Sequence, residues 1–124
     1  MSRSIQAVVF DAYGTLLDVN SLDGILWEYY RESTPQLSTL WRRKQLEYTW
    51  LRTLMARYKP FMEVTMDALK HSCRSLELTY TEAIEQQLQQ EYLRLKAYPE
   101  VLSALKPMME HFELGVLSNA NSEM

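Results

Sequence analysis

The stretch Val8-Val9-Phe10-Asp11-Ala12-Tyr13-Gly14-Thr15-Leu16-Leu17-Asp18 decides how the rest of the chain is read. It begins inside a short apolar run, Ile5-Gln6-Ala7-Val8-Val9-Phe10, which is β-branched and only weakly alternating. Such a run predicts a buried strand of a parallel sheet, because a strand covered on both faces loses its in–out alternation. The strand then hands a carboxylate, Asp11, to a turn containing Gly14 and Thr15. In an open α/β sheet ligands bind beyond the carboxyl ends of the strands, so an acid at this point stands where chemistry is done. Asp is also a common turn residue whose side chain bonds nearby backbone. On the strand-plus-acid pattern alone the two readings are evenly matched.

Working outward, composition narrows the class. Hydrophobic residues make up 47% and charged residues 23%, a balance that excludes a disordered chain. A length of 124 residues suffices for one ordinary domain with its own core. The formal net charge of −3 offers no basic face, so neither nucleic acid nor an anionic membrane is expected as a partner. An anionic substrate would have to be met by local positive groups. Cys73 stands alone, which excludes an internal disulfide and fits a reducing compartment. No apolar run approaches a membrane span, and residues 1–10 lack the layout of a signal peptide. The expectation is a soluble, cytoplasmic protein.

Beyond Asp18 the pattern turns helical. Asn20 or Ser21 is placed to cap a helix carrying Leu22, Ile25, Leu26 and Tyr29, although Gly24 weakens it. Thr34-Pro35 marks a new start, with a hydroxyl at the cap and a proline where its missing N–H is not needed. The helix that follows is expected to run to about Tyr58. It has two apolar faces, one with Leu37, Trp41, Tyr48, Leu51, Met55 and Tyr58, the other with Leu46, Trp50 and Leu54. A second, aromatic-bearing stripe suits either a helix buried on both sides or a subunit interface, and these stay level. After Pro60 another amphipathic helix carries Met62, Met66, Leu69, Cys73 and Leu76, with His71 off the stripe and solvated. Thr79-x-x-Glu82 reads as a capping box before Ile84, Leu88, Tyr92 and Leu95. The glutamine-rich Glu85–Gln90 segment reads as a solvated face. Pro99 opens a last helix with Val101, Leu102, Leu105, Met108 and Met109, which Pro107 should kink or end. Met108 and Met109 read as core filler.

Leu114-Gly115-Val116-Leu117 is the second expected strand, ending at Ser118-Asn119. A parallel crossover needs only about a dozen residues, so the long helical stretch between the strands reads as an insertion. The predicted fold class is α/β, with residues 1–18 and 98–124 forming a core and residues 19–97 an inserted helical cap. Asp11 and Ser118 would then leave neighbouring strands side by side.

The full string Phe10-Asp11-Ala12-Tyr13-Gly14-Thr15-Leu16-Leu17-Asp18 resembles the first motif of the haloacid dehalogenase superfamily. Val116-Leu117-Ser118-Asn119 resembles its second motif. Leu40-Trp41-Arg42-Arg43-Lys44-Gln45-Leu46-Glu47-Tyr48-Thr49-Trp50-Leu51-Arg52 is similar to the cap helix of the type II (S)-2-haloacid dehalogenases. The likeness covers essentially the whole chain. It implies a Rossmann-like core, represented here by its first two parallel strands, with an inserted helical cap. It also implies cofactor-free hydrolysis of small 2-haloalkanoic acids, (S)-2-haloacids going to (R)-2-hydroxyacids through an aspartyl ester, in a homodimer formed through the cap helix.

By the same resemblance Asp11 is the nucleophile and Thr15 orients it. Ser118 and the backbone of the Ala12-Tyr13 turn bind the substrate carboxylate. Arg42 and Asn119 receive the departing halide, a suitable task for a permanently charged guanidinium, and Leu46 and Phe61 form an apolar wall. The unexceptional role for Arg42 is a surface ion pair, which Arg43 with Glu47 already fits. Leu46 and Phe61 would otherwise be ordinary core residues.

Phosphatases of the superfamily carry a second Asp two residues after the first, to protonate an alkoxide leaving group. Here that position is Tyr13, whose ordinary pKa near 10 does not suit the task. This disfavours a magnesium-dependent phosphatase, which remains the alternative within the superfamily. A non-catalytic helical association module is the alternative outside it. Two departures stand against the resemblance. Ala120-Asn121 occupies the place of the usual Gly-Ser, which matters if the backbone there needs a positive φ. The family's lysine motif and acidic loop have no counterpart up to Met124, so the stretch reads as the first half of an enzyme, with impaired activity by itself.

Overall fold

The computed structural model describes residues 4–124. In chain order the elements are β1 (Ala7–Phe10), β2 (Leu17–Asp18), α1 (Asp23–Tyr30), α2 (Thr34–Leu54), α3 (Phe61–Ser75), α4 (Glu82–Tyr92), β3 (Lys96–Ala97), α5 (Val101–Met108) and β4 (Glu113–Val116). They fall into two compact units. The first holds the chain up to Val19 together with Leu95–Asn119, and the second Asn20–Arg94 with Ala120–Met124.

In the first unit β1 pairs with β4 in parallel, Ala7 opposite Glu113 through Phe10 opposite Val116. The ladder continues past both ends, with Glu113 N–H donating to Gln6 O at 2.9 Å and Leu117 N–H to Phe10 O at 2.8 Å. Since α5 lies between β3 and β4 in the chain, the return to a parallel strand runs through a helix, as parallel pairing requires. β1 is not the fully buried strand its composition suggests. Val8 and Phe10 are half-buried while Val9 is 62% exposed, so one face is covered and the alternation of a pleated strand follows.

β2 and β3 pair antiparallel, setting Asp18 opposite Lys96, an opposite-charge pair of the kind that favours a ladder. This pairing groups Leu95–Ala97 with the first unit, so the second boundary falls before β3 and not after Ala97. Residues Ala120–Met124 group with the helical unit, where the sequence pattern had put them with the core. Pro107 lies inside α5, one residue before its end. Met109 is the C-cap residue and is 69% exposed, and Met108 is only half-buried, so neither is core filler. The helix ends within that pair, at Met108.

The second unit is helical. α2 packs on α1 and on α3, and α3 packs on α4. Leu26, Leu37, Leu69, Leu88 and Cys73 are almost wholly buried at its centre. Burying a Leu side chain in this way contributes roughly 1.5–3 kcal/mol. Helix entries differ from the expected caps. A 3-10 turn at Val19–Leu22 contains both Asn20 and Ser21, and leads into α1 with Leu22 at the cap and no side-chain bond. α2 includes Thr34 as its first residue, with Ser33 at the cap and Pro35 in the first turn. The capping hydroxyl of α4 is that of Thr81, which accepts from Ile84 N–H at 3.3 Å. Thr79 is engaged elsewhere, its carbonyl accepting from Tyr30 OH at 3.0 Å.

α2 ends four residues short of Tyr58, and the reason is local. Arg57 N–H donates to Arg52 O at 2.9 Å and Ala56 N–H to Thr53 O at 3.1 Å, with Ala56 at φ 55°. That is a Schellman motif with alanine in the left-handed position. α3 ends the same way at Glu77 (φ 56°), where Leu78 N–H reaches Cys73 O at 2.8 Å and Glu77 N–H reaches Arg74 O at 3.2 Å. The buried stripe of α2 runs Leu37, Trp41, Gln45. Tyr48 is half-buried, and Leu51, Met55 and Tyr58 of the expected face are exposed, Tyr58 by 82%. The other face is open as well, with Trp50 61% and Leu54 82% exposed. No described helix is long and apolar enough to cross a membrane.

Candidate active site

The first unit brings its candidate residues to one end of its two parallel strands. Phe10 lies opposite Val116, so Asp11 leaves β1 at the same end of the sheet at which Leu117, Ser118 and Asn119 leave β4. The turn after Asp11 gathers three of its N–H groups on one acceptor. Ala12 C=O receives Thr15 N–H at 3.3 Å, Leu16 N–H at 2.9 Å and Leu17 N–H at 2.9 Å, while Gly14 N–H donates to Leu17 O at 2.8 Å. Gly14 has φ 85°, a backbone state that L side chains resist. Ala12 and Tyr13 are buried beneath the turn, whereas Asp11, Gly14 and Thr15 are exposed.

Asp11 is held as well as placed. Its Oδ1 accepts Ala12 N–H at 2.8 Å. The local bond expected of a turn residue and the exposed carboxylate expected of a reactive acid therefore occur together. Thr15 takes part in the turn through its backbone N–H. At Ala120 the structure answers the concern about the replaced glycine. Among the described residues the non-glycine positions with positive φ are Arg31, Ala56 and Glu77, so the backbone at Ala120 needs no glycine.

The second unit carries Arg42 and Leu46 one turn apart on α2, both half-buried, and Phe61, 4% exposed, as the first residue of α3. The surface of α2 carries ion pairs between neighbouring side chains. Those join Arg43 to Glu47 at 3.8 Å and Lys44 to Glu47 at 2.6 Å, and the Lys44 hydrogen bond is the main cause holding the Glu47 carboxyl below its usual range. Arg42 Nη1 donates to Gln45 Oε1 at 2.6 Å. Gln45, 1% exposed, donates from Nε2 to Thr65 Oγ1 at 2.7 Å and to Tyr92 OH at 2.8 Å. Thr65 Oγ1 donates to Phe61 O at 2.7 Å, and Trp41 Nε1 donates to Thr65 O at 2.8 Å. Burial pushes the Tyr92 phenol up, opposed by its bonds with Gln45 and Arg42.

Sequence reading missed Gln45, Thr65 and Tyr92 as parts of this arrangement. The available signal was a glutamine on the Leu37–Trp41 stripe, three residues after an arginine. Among the described residues no three of His, Cys, Asp and Glu gather in a way that could hold a metal ion.

A parallel strand pair that releases an acid from one strand and Ser-Asn from the next, with helices inserted between, is part of an α/β core of the Rossmann-like kind. No protein-family model matches the chain. Individual proteins do. The haloacetate dehalogenase H-2 of Moraxella sp. (strain B) is 43% identical over 122 residues, covering 98% of this chain and 54% of that protein. An (S)-2-haloacid dehalogenase of Pseudomonas fluorescens is 42% identical over 120 residues, covering 96% and 53%. The structure of the L-2-haloacid dehalogenase of Xanthobacter autotrophicus with chloropropionic acid covalently bound superposes with a TM-score of 0.88 at 38% identity, over 97% of this chain and 49% of that one. The chain belongs to the haloacid dehalogenase superfamily, beside its 2-haloacid dehalogenases. It spans about half the length of the relatives it matches.

Proposed function

We propose that the protein hydrolyses (S)-2-haloacids to (R)-2-hydroxyacids, with Asp11 as nucleophile. Its carboxylate oxygen attacks Cα, the C–halogen bond breaks with inversion, and halide leaves with the bonding electrons. Water then attacks the aspartyl carbonyl of the resulting ester, freeing the hydroxyacid and regenerating the carboxylate. Halide departs without a proton, so no acid is needed at Tyr13. The observation that carries this reading is the exposed Asp11 carboxylate, fixed by Ala12 N–H in a turn that Gly14 shapes. Its relatives' names support the substrate class, and the covalently bound chloropropionic acid of one relative supports a covalent route.

In this reading Ser118 and the Ala12-Tyr13 backbone bind the carboxylate of the substrate, Arg42 and Asn119 receive the halide, Thr15 orients Asp11, and Leu46 and Phe61 wall the halogen. The exposed Trp50 and Leu54 of α2 support a homodimer through that face. Residues 1–124 alone, with no counterpart of the lysine motif and acidic loop, would turn over poorly.

The test is a single turnover of the full-length protein in heavy-oxygen water. The label is expected on the Asp11 carboxylate and absent from the first hydroxyacid released. Label appearing directly in the product would mean that water attacks the substrate and Asp11 serves only as a base.

A further inference from the structure

We infer that Gln45 is a positioning residue for the Arg42 guanidinium, and that it is an amide because an acid in its place would neutralise the charge it orients. The inference rests on the reading of Arg42 as the group that receives the departing halide. It starts from a core position filled by a polar side chain. Gln45 continues the Leu37–Trp41 stripe of α2, and is as buried as the leucines around it. Nothing about packing calls for an amide there, and burying one is unfavourable unless its hydrogen bonds are made.

The bonds it makes fix which way it points. The Thr65 hydroxyl spends its proton on Phe61 O, one turn back on α3, so towards Gln45 it is an acceptor. Only the NH₂ end of the amide satisfies it, and the same nitrogen serves Tyr92 OH at 2.8 Å. Both N–H groups are then committed to anchors on α3 and α4. The carbonyl Oε1 is left facing Arg42, from which it accepts at 2.6 Å. The anchors are themselves held, since Trp41 Nε1 bonds Thr65 O and the Trp41 and Tyr92 rings meet at 5.9 Å. A long, flexible arginine is thereby held by an acceptor that carries no charge, beside its bond with the Tyr92 hydroxyl that the same amide anchors.

The sign of that acceptor matters. A glutamate of the same shape would face Thr65 with a second acceptor where a donor is required. It would also form a buried ion pair with Arg42 and cancel the positive field that an incoming or departing anion meets. The amide orients without neutralising.

The experiment uses the full-length protein and steady-state halide release for Gln45→Met, Gln45→Glu, Arg42→Ala and the Gln45→Met/Arg42→Ala pair, each checked for folding by thermal unfolding. Gln45→Met is expected to lower kcat by about 100-fold, the size of effect that a misplaced group of about 1 Å produces, with KM changed far less. Gln45→Glu, nearly isosteric, should lose at least as much. In the Arg42→Ala background Gln45→Met should add nothing, because the residue acts through Arg42. Losses that multiply in the double variant, or a Gln45→Met protein of unchanged kcat beside an impaired Arg42→Ala, would overturn the inference and leave the role of Arg42 standing. Unchanged turnover in Arg42→Ala would overturn both. Should Gln45→Met fail to fold, Thr65→Val removes the anchor with little change of shape and is read through the same cycle.

Discussion

Replacing Gly14 by alanine tests the turn that presents Asp11. The residue sits at φ 85°, where an L side chain is disfavoured by about 1–2 kcal/mol. Alanine also restricts the unfolded chain, which returns about 0.4–1 kcal/mol. The net expectation is a loss of about 1 kcal/mol, or a fall in Tm of roughly 3–6 °C for a chain of this size. The consequence for turnover should exceed that for stability. Three backbone N–H groups converge on Ala12 O around this residue, and Ala12 N–H is the group that holds Asp11. A shift of about 1 Å in that turn is enough to lower turnover by about 100-fold.

The chain supplies its own controls, because its other two glycines lack this constraint. A Cβ at Gly115 would meet Val9 Cγ2 at 3.8 Å, an ordinary contact, and one at Gly24 on α1 would meet nothing within 4 Å. Gly115→Ala should be tolerated and Gly24→Ala should stabilise by up to about 1 kcal/mol. Ala56→Gly reverses the sign of the Gly14 change, since Ala56 already bears a side chain at φ 55°. Thermal unfolding of the four variants and halide release by the full-length proteins make the comparison. A Gly14→Ala protein no less stable than Gly115→Ala and equally active would refute the assignment of that turn.

The remaining predictions concern the helical unit. Burial pushes the Cys73 thiol up, so its thiolate is scarce and the folded protein should react with a disulfide reagent far more slowly than the unfolded one. Because the folded pKa is the higher, the associated stability is complete below the unfolded thiol's pKa of about 8.5 and declines as pH rises through the folded value. Unfolding temperatures that climb between pH 8 and 10 would contradict this. Trp50→Glu should shift a dimeric full-length protein towards monomer on a sizing column, as a charge desolvated without a partner is strongly unfavourable. A variant equally dimeric and stable would place the interface elsewhere.

Much of the fold was legible in the sequence because two signals are local. The apolar run before Asp11 and the Leu-Gly-Val-Leu run before Ser118 each announce a strand by composition. The helical spacing of Met62, Met66, Leu69 and Cys73 places α3 on its buried face. The ends of helices were less legible. Proline and glycine are the residues that announce a stop, and α2 and α3 stop at Ala56 and Glu77, which announce nothing. Their left-handed backbone is closed by the pair of local hydrogen bonds of each Schellman turn, which no residue type there marks in advance. The same reason misplaced the cap of α4. Thr79 and Thr81 both offer a hydroxyl, and the choice fell to Thr81 while the carbonyl of Thr79 bonded Tyr30.

The site divides in the same way. The placement of Asp11 and Ser118 was legible because a strand end is a position in the chain, and the register of β1 with β4 carries both to one end of the sheet. Gln45 could not be found by periodicity, since a search for apolar stripes counts a glutamine as a break. It fills a core position because both its N–H groups and its carbonyl meet partners, and the partners of the N–H groups come from α3 and α4, 20 and 47 residues further along the chain. A satisfied amide is compatible with a core, but a leucine would fit there with less to arrange. The polar residue is therefore explained by what its remaining atom faces, which is Arg42. A buried stripe interrupted by one polar side chain, three residues from a charged one, is a pattern that points from packing to chemistry.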